Sequence, residues 1–274
     1  MNFALLGGDD RSVRLAGLLR EDGHTVRCFA LERALPCADC AAEAVEGADA
    51  AVLPLPCEAD GGLNAPLSAG RYGFAELLDA APPGLPVLAG KAGEPLRSVC
   101  RRRGLALRDY FLREEFTLRN AELTAEGCVS LLMQGEDALR GSRVLIAGYG
   151  RIGRLLAPKL PALGVRVTVA ARSAEQRLLA ELAGCRAIPF PEVSDSHWDA
   201  VVNTVPAQVF GAAELERFGD ARCIELASAP FGFDFAAAKR LGVDVERASG
   251  LPGKYAPAAA AKAVRDAVYA MMEE

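Results

Sequence analysis

The stretch that most narrows the fold is VLIAGYGRIGRLLA, residues 144–157, an apolar run broken by Gly148, Gly150 and Gly153. Residues 144–147 read as a buried strand entering the glycines, and the residues after them as a helix leaving. In that setting each glycine has its own reason. Gly148 permits a tight turn, Gly150 lets the main chain approach a diphosphate, and Gly153 lets helix and strand pack closely. Unpaired N–H groups and the helix dipole favour an anion at the helix start. The spacing therefore predicts a Rossmann NAD(P)-binding domain with a doubly wound parallel sheet. Tyr149, Arg151 and Ile152, between the glycines, join the cofactor-binding set. Pro158 and Pro161 fall where the helix would continue, so it is expected to be short or kinked.

The next strand, VRVTVAA at 165–171, bears on which coenzyme binds. An acid normally stands at its end to hold the ribose 2′-hydroxyl, but here Ala170 and Ala171 take that place. Arg172 and Ser173 follow and offer a cation and a hydroxyl to a 2′-phosphate, which predicts NADP over NAD. Further on, NTVPA at 203–207 ends another strand at the carboxyl edge where doubly wound sheets take ligands. Asn203, Thr204, Val205 and Pro206 are placed in the cofactor set, with an Asn-Thr turn capped by proline as the plainer reading. ELASAPFGFD at 225–234, with Ala227 and Ser228, and GLPGKYAP at 250–257, with Lys254, reach the same edge.

The chain ahead of this domain alternates strands and helices independently. MNFALLGGDDRSVRLAGLLREDGHTVRCFAL reads as strand, glycine turn, helix with Val13, Leu15, Leu18 and Leu19 on one face, stop at Gly23, strand. Apolar runs at 48–56 and 85–90 are of buried parallel-strand type, and CEADGGLNAPLS between them is long enough to be functional. Thr124 in RNAELTAEGCVSLLM is read as the N-cap of a junction helix over 121–137. The organisation expected is α/β with two doubly wound parallel-sheet domains: 1–120 on the substrate side, and 121–255 for the dinucleotide. A helix at 256–274 is expected to pack back on the first domain. GGDDR at 7–11 lacks a third glycine at fingerprint spacing and is no second nucleotide site. Asp9 and Arg11 there either serve a cleft between the domains or are a turn acid and a helix-start arginine; Lys91 in LAGKAG also follows a strand.

Composition excludes several classes. With 274 residues, 51% hydrophobic and 24% charged, the chain suits a globular two-domain protein. A net charge of −5 argues against a nucleic-acid surface, and CRRRG at 100–104 reads as a solvated helix end. No apolar run reaches the ~20 residues of a spanning helix, and the N-terminus lacks a signal-peptide pattern, so a cytoplasmic protein without membrane contact is expected. CADC, Cys37 and Cys40, has metal or redox spacing, but no second such pair accompanies it and His24 and His197 are the only histidines. No metal is expected, and the eight cysteines read mostly as small buried hydrophobes.

Together GGDDR, RNAELTAEG, GYGRIG, NTVPA, ELASAPFGFDF and GLPGKYAP resemble the dipicolinate synthase A-subunit family over almost the whole chain. The resemblance implies oxidation of dihydrodipicolinate to dipicolinate, pyridine-2,6-dicarboxylate, with NADP as hydride acceptor. It places that reaction in the mother cell of a spore former during sporulation, with the flavoprotein-like B-subunit of dipicolinate synthase as partner; a homo-oligomer is compatible. It also implies Asn120, Thr124 and Glu126 near the substrate. Two substrate carboxylates call for cations or N–H donors, for which Arg11, Lys91 and Lys254 are the candidates, with Asp9 beside them. The catalytic base is left open between Lys91 and Glu126. Because the product is aromatic, a weak base suffices and positioning supplies much of the rate. The chain departs from the family at Ala229 and Pro230, where related chains more often carry lysine or glycine. Two other readings stand beside this one. One is a shikimate- or 2-hydroxyacid-type NAD(P) dehydrogenase, though His197 in SDSHWD lies away from the strand ends that would form its site. The other is a non-catalytic NADP-binding partner protein.

Overall fold

In the computed structural model, residues 1–135 and 138–274 are described, and the chain divides into two units: Met1–Asn120 with Pro252–Glu274, and Ala121–Leu251. The first unit opens with β1 (Asn2–Leu6), α1 (Asp10–Glu21), β2 (Thr25–Phe29), α2 (Ala41–Val45) and β3 (Ala50–Val52). After β3 the long loop carries a small antiparallel hairpin, β4 (Glu58–Ala59) and β5 (Gly62–Leu63). Then follow α3 (Phe74–Leu77), β6 (Pro86–Ala89), α4 (Glu94–Arg103) and β7 (Ala106–Asp109). The main sheet is parallel throughout in the order β2-β1-β3-β6-β7, so chain order reverses between β1 and β3. Its central strands are apolar almost without a break, as strands covered on both faces must be. Asp9 caps α1, its carboxylate accepting from the Arg11 amide at 3.0 Å. The helix buries Leu15, Ala16 and Leu19, while Val13 and Leu18, expected on that face, are only half-buried at its margin.

Next comes α5 (Glu114–Met133), with Glu114 and Glu115 in its first turn, where the dipole favours acids. This corrects the expected start at 121: Thr124 is a buried residue in mid-helix and caps nothing. Residues 136 and 137 of the expected junction helix lie outside the described residues.

The second unit continues with β8 (Arg143–Ala147), α6 (Arg151–Leu156), β9 (Arg166–Ala170), α7 (Ala174–Leu182), β10 (Arg186–Ile188) and β11 (Ala200–Asn203). It closes with α8 (Ala212–Phe218), β12 (Arg222–Glu225), α9 (Phe235–Leu241) and β13 (Val245–Arg247). All neighbours are parallel in the order β10-β9-β8-β11-β12-β13, reversing between β8 and β11. Strand residues alternate between two apolar clusters. Val144, Ile146, Val167 and Val202 enter one, and Leu145, Ala147, Ala170 and Val201 enter the other with Trp198, Phe210 and Phe218. α6 stops at Leu156, ahead of both prolines, and a separate 3₁₀ turn spans Pro161–Leu163.

The chain then returns to the first unit through α10 (Leu251–Tyr255) and α11 (Pro257–Met272). Ala261, Val264, Ala267 and Val268 of α11 share an apolar cluster with Leu15, Ala16 and Leu19 of α1. Arg108 donates to the Met271 carbonyl, and Arg113 pairs with Glu274 at 2.6 Å.

Candidate functional site

In the second unit the ends of β8 and β11 are tied together where the strand order reverses. Thr204 donates to the Ala147 carbonyl twice, from its amide at 2.9 Å and from Oγ1 at 2.8 Å. This leaves Gly148 no room for a side chain: at φ +94° a Cβ would come 2.6 Å from Thr204 Oγ1. A Cβ on Gly153 would run into the Gly148 carbonyl oxygen, so α6 packs down on the turn only because that atom is missing. Gly150, heading α6, instead faces open space within 4 Å of where its Cβ would stand. Main chain is therefore open at Gly150, the head of α6, the arrangement a diphosphate needs, while the Gly148 amide is spent on the Ala170 carbonyl at 2.8 Å. Arg151 is exposed there, and Ile152 packs half-buried on the core. Tyr149 is a correction: its ring lies in the core at 4% exposure, so only its main chain can face a coenzyme.

At the other end of the expected coenzyme track, β9 ends in Ala170 and the buried Ala171. Arg172 is exposed, and Ser173 caps α7, its Oγ accepting from the Gln176 amide at 3.4 Å while its O–H stays available as a donor. Arg177, missed from sequence, donates to the carbonyls of Ala171 and Arg172, both at 2.8 Å. The first acid after the strand is Glu175, in the first turn of α7.

Asn203 is the second correction. It is fully buried, and its side chain is spent on Val205, accepting from the amide at 3.1 Å and donating to the carbonyl at 3.0 Å, and on Glu225, to which it donates at 2.6 Å. Glu225, 1% exposed, also accepts from the amides of Ala227 at 2.9 Å, Gly232 at 2.7 Å and Phe233 at 3.2 Å. The pair thus organises the loop after β12. An acid ending an otherwise apolar strand in CIELA was the signal available in sequence. Val205 is half-buried, and Pro206 and Ser228 are exposed.

In the first unit, Asp9 and Arg11 stand where the strand order reverses between β1 and β3. Arg11, 8% exposed, pairs with Asp9 at 2.7 Å and also donates to the Leu55 carbonyl. Gly253 of α10 covers the pair, since a Cβ there would lie 2.7 Å from Arg11 Nε, and Lys254 beside it is exposed. Lys91, past β6, is exposed and takes a left-handed backbone at φ +59°. Asp109 holds that turn, accepting from the amides of Lys91 at 2.9 Å and Ala92 at 2.8 Å. Asn120 and Thr124, four apart on α5, share a helix face, whereas Glu126 lies roughly 200° round from Thr124. Glu126 approaches Lys159 at 3.8 Å, so the three residues do not form one cluster.

Other candidates fall away from these edges. His197 precedes β11, exposed, 3.5 Å from Asp199. All eight cysteines are free, with Cys40 exposed and Cys37 half-buried. Burial pushes the Cys57 thiol up to about 11 and those of Cys128 and Cys223 to about 12. Among the described residues no group of three His, Cys, Asp or Glu could hold a metal, and no helix is long and apolar enough to cross a membrane.

Residues 2–111 match the N-terminal domain of the dipicolinate synthase A-subunit, and residues 117–219 match the NAD-binding domain of D-isomer specific 2-hydroxyacid dehydrogenases. The dipicolinate synthase A-subunit of Bacillus subtilis (strain 168) is 30% identical over 205 residues, 72% of this chain and 68% of that protein. The crystal structure of the dipicolinate synthase A-subunit from Bacillus halodurans superposes with a TM-score of 0.86 at 23% identity, covering 100% of this chain and 98% of that one. A transhydrogenase from Sinorhizobium meliloti follows at TM-score 0.72 and 16% identity, covering 98% and 93%.

Proposed function

Because the chain belongs to the dipicolinate synthase A-subunit family, we propose that it oxidises dihydrodipicolinate to dipicolinate with NADP as hydride acceptor, working with the flavoprotein-like B-subunit. The observation that carries this reading is a diphosphate-shaped glycine turn whose adenosine end is basic. Gly150 leaves the main chain at the head of α6 open, with Gly148 and Gly153 allowing the close packing beneath it, and Arg172 and Ser173 stand where an NAD-specific site would carry an acid. When bound, the nicotinamide ring supplies the carbon that accepts the hydride. The chain's residues bind and orient. Amides near Gly150 hold the diphosphate, and Arg172 and Ser173 hold the 2′-phosphate. Lys91 and Lys254, both exposed, offer charge to the substrate carboxylates. Arg11, consumed by Asp9 and Leu55, fixes the turn after β1 rather than reaching out alone.

In the reaction two electrons leave the dihydropyridine ring with a hydride from one carbon, and a proton leaves to a base: Glu126, or Lys91 in its neutral form, in which case Lys254 and not Lys91 meets the carboxylates. The gain of aromaticity drives the step, so no strong base is demanded. Freshly generated dihydrodipicolinate mixed with the isolated chain and NADP tests the proposal. Single-turnover formation of NADPH is expected. Formation only after the B-subunit is added would favour the non-catalytic partner reading, and none in either case would overturn the substrate assignment.

A further inference from the structure

The cations offered to the substrate, Lys91 and Lys254, both belong to the first unit. The second unit carries one of its own on the coenzyme edge. It arises from the loop after β12. Glu225 binds the amide of Ala227 at one end of that loop and those of Gly232 and Phe233 at the other, so the chain between must reverse tightly. Phe231 absorbs the reversal with φ +66°, a conformation aromatic residues rarely adopt.

The consequence is where its ring goes. It lies under the last residue of β13: the guanidinium carbon of Arg247 is 4.4 Å from the Phe231 centroid and 5.5 Å from that of Phe235. The two rings meet edge to face at 5.4 Å and 82°, forming a rigid seat. Arg247 is exposed, and among the described residues no hydrogen bond or ion pair engages its side chain. The acid nearest in register, Glu225, has its oxygens turned to main-chain amides and Asn203. Register also fixes the location: Arg247 pairs with Glu225, Glu225 with Asn203, and Asn203 with Ala147, one row along the carboxyl edge that begins at the glycine turn. At about 4.8 Å per strand, Arg247 stands roughly 10 Å along that row from Asn203.

We infer that Arg247 is a substrate-binding residue, a stacked guanidinium that takes one carboxylate of the pyridine dicarboxylate. Seated on two rings, its fork loses little freedom on binding and presents paired N–H donors, the geometry that suits a carboxylate. The inference rests on the substrate class proposed above. It needs more than an arginine covering apolar rings, and the test separates the two.

The full chain saturated with NADP is titrated calorimetrically with dipicolinate as a stable probe, and NADPH formation from dihydrodipicolinate is followed in parallel. Arg247→Gln is expected to weaken dipicolinate binding and raise the substrate KM by roughly tenfold or more, with NADP affinity unchanged. Arg247→Lys keeps the charge and the stem over Phe231 but not the fork, and is expected to fall between; it serves also if Arg247→Gln lowers the melting temperature. If wild type binds and turns over while both variants stay within about twofold of it, Arg247 merely covers the rings and the inference is overturned. If wild type neither binds dipicolinate nor forms NADPH, the substrate class itself fails, and the inference with it.

Discussion

Removing the guanidinium of Arg172 tests the coenzyme preference most directly. The side chain is exposed, and the main chain beneath it is fixed by the Arg177 contacts to the carbonyls of Ala171 and Arg172, so Arg172→Ala should delete charge without moving the corner. Two unit charges about 4 Å apart in water attract by about 1 kcal/mol, and a phosphate monoester carries about 1.5 to 2 negative charges. The gross attraction is then about 1.5 to 2 kcal/mol, reduced by screening and by side-chain ordering to about 1 to 1.5 kcal/mol. The expected loss in NADP affinity is roughly five- to twelvefold, with NAD affinity nearly unchanged because it lacks the 2′-phosphate. Fluorescence titration with both coenzymes reads the ratio. Raising ionic strength from about 0.1 M to about 1 M, which shortens the Debye length from about 10 Å to about 3 Å, should shrink the wild-type preference toward that of the variant. An unchanged NADP to NAD ratio in Arg172→Ala would refute the electrostatic argument, whichever coenzyme the protein prefers.

Three further outcomes follow from how polar groups and thiols are buried or exposed. Glu225→Ala leaves one N–H of the Asn203 side chain and three main-chain amides without their acceptor, so the second unit should lose about 3 kcal/mol or more, read as a lower urea midpoint in the full chain. Thiol reagents at neutral pH should label Cys40 first and Cys37 next, leaving the six buried cysteines until the chain unfolds. Burial raises the Cys57 thiol from 9.0 to about 11, so the unfolded chain gives up that proton first on going alkaline. Stability should therefore be intact below pH 9 and fall as pH rises from 9.0 toward 11, with a denaturation series over that window as the check.

The glycine turn was legible in sequence because it is a main-chain requirement written into three positions. The apolar runs at β1, β8 and β11 were legible for a similar reason, since burial on both faces leaves an unbroken hydrophobic string. Side-chain partnerships left no such trace. Asn203 and Glu225 are 22 residues apart and meet only because β11 and β12 pair, so a polar residue at a strand end looked like a ligand-facing group when it was a brace. Asp109 and Lys91 were hidden in the same way, 18 residues apart across β6 and β7. On α5, Thr124 looked like a cap because nothing local distinguishes a threonine that starts a helix from one buried in its middle. Arg247 drew no notice, for its meaning depends on a ring placed by the loop before α9.

The return of α10 and α11 to the first unit also sets the order in which the protein can be made. The apolar cluster around Leu15, Ala16 and Leu19 of α1 is begun by β1, β2 and β3 but completed only by α11, synthesised after the entire second unit. During translation the part of that cluster that α11 covers must wait, greasy and exposed, while more than a hundred residues emerge, which invites chaperone binding. A gene fragment ending at residue 120 would express the waiting state alone, and fusing residues 252–274 to it through a flexible linker should recover a well-behaved product.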